Sequence, residues 1–136
     1  MTILEAVTLE FFSKMDGGEL AGRVCLNCGL ISYPARGICP KCGGLSQGWY
    51  TLSGRGTLLF ASAGDNVFYS RAYIAATVEL EEGILIGGEL IAPDLDLTDP
   101  GAILGLNGEN IPVRMYIKKD DFGTHAVFEP QKRHDQ

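Results

Sequence analysis

The chemistry most clearly written into this chain belongs to four cysteines. They stand as Cys25-Leu26-Asn27-Cys28-Gly29 and Cys39-Pro40-Lys41-Cys42-Gly43, with ten residues between the pairs. Thiolate sulfur suits a tetrahedral Zn²⁺ ion. A gap of two residues lets both sulfurs of a pair reach one metal, and the following glycine lets the backbone turn beneath it. The pattern predicts a structural zinc ribbon with Cys25, Cys28, Cys39 and Cys42 as ligands. Two disulfides would satisfy the same count, but they belong to short secreted scaffolds. A redox CxxC usually stands alone at a strand-to-helix junction. Iron is an alternative to zinc, because four thiolates accept either metal.

Other chemistry is sparse. With the cysteines assigned to metal, no thiol remains as a nucleophile. Of the two histidines, His134 lies in a polar tail and His125 on an expected strand without an obvious partner. There is no G-x-S-x-G elbow, phosphate-binding loop, dinucleotide fingerprint or H-E-x-x-H pair. The acidic residues from Glu79 to Glu89 read as a solvated hairpin face. The chain therefore reads as a binding or scaffolding module that is not catalytic by itself.

Composition narrows the class further. A length of 136 residues suits one ordinary domain or two small lobes. Hydrophobic residues make up 46% and charged residues 21%, as in globular proteins. No apolar run approaches the roughly 20 residues of a membrane span. Met-Thr-Ile-Leu-Glu at the start has no basic region ahead of an apolar core, so a signal peptide is not expected. Reduced cysteines without an export signal point to the cytoplasm. The net charge of −6 is uneven. From Leu20 to Gly64 there is no Asp or Glu, while Arg23, Arg36, Lys41 and Arg55 are present. From Ala72 to Val113 there is no Lys or Arg. The first stretch attracts anions or balances the charge of a thiolate-bound metal, and the second repels anions.

The elements that must position the cysteines follow from periodicity. Residues 2–16 read as a helix. Thr2 and Glu5 have capping-box spacing, Leu4, Val7, Phe11 and Met15 form one stripe, and Gly17-Gly18 ends it. Phe11 belongs to the stripe; Phe12 is expected beside it in the core, with a contact to the ribbon or a partner as the alternative. Residues 20–47 form the ribbon, with an extended segment at Tyr33-Pro34. From Trp49 the period changes to two. Strands are expected at 57–62, 73–80, 84–91, 111–117 and 124–128. Gly87-Gly88 suggests a bulge or sharp coil of the third, and Glu81-Glu82-Gly83 a hairpin turn before it. A helical turn is expected near 100–104. The segment Ser62 to Ser70 places Val67, Phe68 and Tyr69 beside a polar turn, as a barrel seal or a contact loop. The fold class is mainly β: an N-terminal helix (1–19), a zinc ribbon (20–47), a five-stranded OB-type barrel (48–130) and a tail (131–136). An SH3-like barrel or small sandwich is the alternative.

The order of motifs carries a resemblance. Phe11-Phe12, Gly18-Glu19-Leu20, Arg23, Tyr33-Pro34-Ala35-Arg36, Cys39-Pro40-Lys41-Cys42-Gly43, Trp49 and Ser53-Gly54-Arg55-Gly56-Thr57 together resemble the OB-fold acyl-CoA-associated zinc-ribbon family. Val78-Glu79-Leu80 and Phe128-Glu129-Pro130 are similar too, so the likeness runs over residues 9–130. It implies a helix, a rubredoxin-like ribbon and an OB barrel in a small subunit of a hetero-oligomer. The partner would be a thiolase-like catalytic subunit that carries the thiolytic cleavage or acyl transfer. It also implies coenzyme A thioesters as ligands, and one branch resembles the small subunit of a benzylsuccinate-pathway thiolase. The family often has Phe-Trp where this chain has Phe11-Phe12, and Pro-Pro-Arg where it has Pro34-Ala35-Arg36. Those departures leave the expected fold intact and put in question only whether the same surfaces meet the same partner. In physical terms Arg36, Lys41 and Arg55 are the candidates for pairing with coenzyme A phosphates. Zinc ribbons and OB barrels also bind single-stranded nucleic acid, with Tyr73 and Tyr116 as stacking candidates. The net negative charge opposes that reading.

Overall fold

The structure is a computed structural model, and it describes residues 2–66, 71–96, 99–120 and 123–131. Contacts divide the chain into two units. The first comprises Met1–Ser53 and Ile117–His125, the second Gly54–Tyr116 and Ala126–Gln136.

The first unit begins with helix α1, Ile3–Asp16. Thr2 Oγ1 accepts from the Glu5 N–H at 3.2 Å, and Glu5 Oε2 accepts from the Thr2 N–H at 3.2 Å. This reciprocal cap satisfies two amide groups that the helix start leaves unpaired. At the other end Gly18 takes φ 83°, and the Glu19 N–H reaches back to the Lys14 carbonyl at 3.0 Å. Val7, Phe11 and Met15 are buried along one face. Leu4, placed in the same stripe by the sequence, is 44% exposed because it stands in the first turn. Phe12 corrects the expectation of a fully buried pair: it is 55% exposed. One step along a helix turns the side chain about 100°, so adjacent residues cannot share a narrow buried face.

Three short strands follow: β1 (Ala21–Cys25), β2 (Ile31–Ser32) and β3 (Gln47–Thr51). They form an antiparallel sheet in the order β2-β1-β3. Arg23 lies opposite Ser32 on one side and Trp49 on the other. The boundary read at 47/48 falls within β3, which pairs with β1 along its length. The Tyr33-Pro34 peptide is cis.

The remaining strands are β4 (Arg55–Asn66), β5 (Arg71–Leu80), β6 (Leu85–Leu90), β7 (Pro112–Asp120) and β8 (Gly123–Pro130). They close into a barrel in the order β4-β5-β6-β8-β7, with β6 and β8 parallel and the other recorded pairs antiparallel. Helix α2 (Pro100–Leu104) lies between β6 and β7, as the helical turn expected there. Asp99 caps it by accepting the Gly101 N–H at 3.0 Å, and Ile103 is fully buried. This arrangement is the OB-type barrel expected from the strand count, and closure leaves no sheet edge open. Ile74, Ala76, Val78 and Leu80 are all buried, as the alternation required.

Of the two alternatives for the glycine pair in the barrel, the bulge fails. Gly87-Gly88 does not bulge: β5 and β6 pair there in continuous register. The irregularity is in β4 instead, between Leu58 and Phe60. Gly88 is there for space, because a Cβ at that position would lie 2.9 Å from the ring of Phe128. Asn107 serves the bulged strand. Its Oδ1 accepts from the Ala61 N–H at 2.7 Å and its Nδ2 donates to the Ala61 carbonyl at 3.3 Å. Val67, Phe68 and Tyr69 and the tail beyond Gln131 lie outside the described residues. No described helix is long and apolar enough to cross a membrane.

Candidate metal centre

The two knuckles are built alike. The Cys25 N–H donates to the Leu30 carbonyl at 2.9 Å, and the Cys39 N–H to the Gly44 carbonyl at 2.9 Å. The Gly29 N–H donates to the Cys25 carbonyl at 2.8 Å, and the Gly43 N–H to the Cys39 carbonyl at 2.9 Å. Both glycines sit in the left-handed region, at φ 79° and 74°, as the turn requires. Each loop thus brings its two sulfurs to the same side. Gly44 is a residue the sequence reading passed over. A Cβ there would lie 2.9 Å from Asn27 Nδ2 and 3.3 Å from Cys42 Sγ.

All four Sγ atoms lie within 4.8 Å of one another. Cys25 and Cys42 are 3.6 Å apart, as are Cys28 and Cys39. A tetrahedron of sulfurs about 2.3 Å from a zinc ion has edges of roughly 3.8 Å, so the cluster has the size of a zinc site. Cys25 and Cys39 are buried, while Cys28 and Cys42 are exposed. Backbone amides favour thiolates here. The Cys28 N–H lowers the Cys25 thiol to about 6, and the Cys42 N–H lowers Cys39. Cys42 accepts the Gly44 N–H, yet the sulfurs of Cys25 and Cys39 push it up to about 11. Sulfurs this close resist joint ionisation, and a divalent cation removes the conflict. The four cysteines suit structural zinc. Four protein thiolates saturate the tetrahedron and leave no open position for substrate.

Beside the knuckles, within the first unit, Trp49 is held by charge. The Arg23 guanidinium lies 4.5 Å from the centre of its ring and Lys14 Nζ 5.2 Å. The indole N–H donates to Glu10 Oε2 at 2.6 Å. Arg23 is 6% exposed and donates from Nη2 to the Gln47 carbonyl at 3.3 Å. Its Nε and the nearby Ser32 Oγ are buried without a partner among the described residues. Burial lowers the Arg23 pKa and Glu10 raises it. In the sequence Arg23 stood out as a cation of the acid-free stretch and, like Trp49, as part of a motif; their pairing needed the β1–β3 register.

The three cations chosen for phosphate contacts differ in their surroundings. Arg36 and Lys41 are exposed and form no ion pair with a described residue. The Arg36 carbonyl accepts from Gln47 Nε2 at 3.2 Å. Arg55, in the second unit, is bidentate to Glu81, at 2.9 Å from Nε and 3.0 Å from Nη2. His125 Nε2 stands 3.5 Å from Asp120 Oδ2. The two tyrosines considered for stacking are also committed. The Tyr73 ring lies so close to Gly64 that a Cβ there would come within 2.5 Å of it. Tyr116 has its pKa raised by burial and then by Glu129 and Glu89, a negative field that opposes nucleic acid.

A four-cysteine ribbon with an OB-type barrel defines a small class of two-part proteins. Residues 16–46 match the family described as ChsH2, rubredoxin-like zinc ribbon domain. A DUF35 domain-containing scaffold protein of Methanocaldococcus jannaschii is 33% identical over 107 residues, covering 75% of this chain and 73% of that protein. A protein of the same description from Methanothermobacter thermautotrophicus is 33% identical over 90 residues, or 61% of this chain and 66% of that protein. Among solved structures, one described as an Ltp2-ChsH2(DUF35) aldolase superposes with TM-score 0.66 at 23% identity, over 96% of both chains. A DUF35-family protein of unknown function from Sulfolobus solfataricus gives TM-score 0.60 at 12% identity, over 92% of this chain and 85% of that one. The chain belongs to the DUF35 family of zinc-ribbon and OB-barrel proteins.

Proposed function

We propose that this protein is a non-catalytic accessory subunit of a thiolase-type acyl-CoA complex, needed for assembly and for handling the acyl-CoA. The observation that carries this reading is the likeness, at 33% identity over 107 residues, to a protein described as a DUF35 scaffold. A structural neighbour named for an aldolase joined to a DUF35 protein supports a catalytic partner. The metal centre agrees with it, since a saturated thiolate site holds a fold together but offers no Lewis-acid position. Among the described residues, the four cysteines are the one group of three or more His, Cys, Asp or Glu side chains able to share a metal.

In this reading thiolysis or acyl transfer belongs to the partner chain, and the complex works in the cytoplasm. Arg36 and Lys41 offer exposed charge to the phosphates of coenzyme A, from a stretch without acids. Arg55 would contribute only by exchanging Glu81 for phosphate.

The test is reconstitution. The full chain is co-expressed with a candidate thiolase-like subunit and the pair is purified by size exclusion. Co-elution, with acyl-CoA turnover that falls when this chain is withheld, is the expected result. Separate elution from every thiolase-like subunit tried, with turnover indifferent to this chain, overturns the reading.

A further inference from the structure

The second unit carries a groove that the metal centre and the proposed phosphate contacts leave unused. Its volume is about 420 Å³, within the range of roughly 300–1,000 Å³ typical of binding clefts. Leu58 and Leu90 form its floor, and Ile91, Leu95, Leu106 and Ile111 line its walls. The walls are held by the backbone. The Ile91 N–H donates to the Phe128 carbonyl at 2.7 Å, the Leu58 N–H to the Ile111 carbonyl at 2.9 Å, and the Leu95 N–H to the Ala92 carbonyl at 3.1 Å. The groove is therefore formed by the ends of strands and a tight turn.

Its polar members are Asp94, Glu129 and Gln131. Gln131 turns its amide back onto the Glu129 carbonyl at 3.3 Å. Asp94 and Glu129 are exposed, and no described Lys or Arg forms an ion pair with either. Arg114 acts on the same Tyr116 phenol as Glu129 and Glu89. An apolar floor with a carboxylate rim repels phosphate and thioester carriers of phosphate, so the groove differs in kind from a coenzyme A site. It suits an apolar segment flanked by positive charge.

We propose that this groove is a docking site for a segment of the catalytic partner, in which apolar side chains enter between Ile91 and Leu106 and a flanking Lys or Arg pairs with Asp94 and Glu129. The inference rests on the accessory-subunit reading and adds to it the surface and the chemistry of the contact. The apolar part supplies affinity by leaving water, and the rim sets partner choice and association rate.

The experiment uses the full zinc-loaded chain and the purified thiolase-like subunit that co-elutes with it, with affinity read by biolayer interferometry. Asp94→Lys/Glu129→Lys changes two exposed groups, so zinc content and thermal midpoint should stay as in the unmodified chain. Asp16→Lys/Glu109→Lys reverses two exposed acids outside the groove and so controls for the same change in net charge. The expected result is a loss of about tenfold or more in affinity for the double reversal, with the control near the unmodified value. Hydrogen exchange should slow at residues 90–95 and 106–111 when the subunit is bound. Affinity unchanged by the double reversal, with no protection at those residues, overturns the groove while leaving the accessory reading in place. If the unmodified chain binds no such subunit, both fall. A chain ending at Gln131 that binds more tightly than the full chain, with the double reversal silent, would make the occupant the chain's own basic tail and overturn the proposal.

Discussion

The four sulfurs are placed by backbone turns, but backbone N–H groups bring only Cys25 and Cys39 below the ordinary thiol pKa, while neighbouring sulfurs push Cys42 up. That division of labour gives the cysteines unequal roles. Cys39 is 2% exposed and its amide closes the second knuckle onto Gly44. Cys39→Ser should abolish stoichiometric zinc and collapse the ribbon's chemical-shift dispersion, because the metal supplies folding free energy of order 10 kcal/mol in such sites. Full zinc content in the variant, measured by plasma emission, would contradict this. Arg23 works through shape as well as charge. Its planar guanidinium lies over Trp49 while Nη2 reaches the Gln47 carbonyl. A lysine has neither the plane nor the fork, so Arg23→Lys should lower stability by about 1–2 kcal/mol in urea denaturation. Equal midpoints for the two chains would show that the stacking contributes nothing.

At the scale of elements, close approach matters more than turn chemistry in the barrel. Gly88 on β6 faces the Phe128 ring of β8, across the one parallel pairing recorded in the barrel. Gly88→Ala forces the ring or the strand to shift and should cost about 1–3 kcal/mol. A thermal midpoint equal to the unmodified chain's would mean that the ring yields freely. The turn between β5 and β6 is tied to the start of β4 by Arg55 and Glu81. Arg55 donates to the Glu81 carboxylate and holds its pKa below the ordinary value. A depressed carboxylate adds stability above its unfolded pKa and loses it as pH falls through the folded value. Both groups are exposed, so the effect is small. Glu81→Gln should lower stability slightly at neutral pH and flatten the profile on the acid side of about pH 4.5, where the two chains converge. A profile that keeps its acid slope would assign that slope to other carboxylates.

For the molecule as a whole, the two units are stabilised by different means. The ribbon sheet has strands of two to five residues and few buried apolar side chains, so the metal must do most of the work there. The barrel closes on itself around Ile74, Val78, Ile103, Val113, Val127 and Phe128. Removal of zinc by a strong chelator should therefore unfold the ribbon while barrel amides keep their dispersion in a nitrogen–proton correlation spectrum. Loss of all dispersed resonances together would show that the barrel depends on the metal as well.

Local spacing was enough to read some of this. Two CxxC knuckles report a metal centre because both ligands of a pair and the glycine that bends them lie within five residues. Thr2 and Glu5 give the helix start for the same reason, and the alternation of Ile74 to Leu80 gives a buried strand face. Family membership followed from the order of such local motifs. Tertiary structure alone decided what depends on residues far apart in the chain. It put Trp49 under Arg23, turned Phe12 outward, bound Arg55 to Glu81 and set Gly88 against Phe128. It also joined the 90s turn, the end of α2 and the end of β8 into one acid-rimmed groove. Strand register and barrel closure make those pairings, and neither has a signature shorter than the distance it spans.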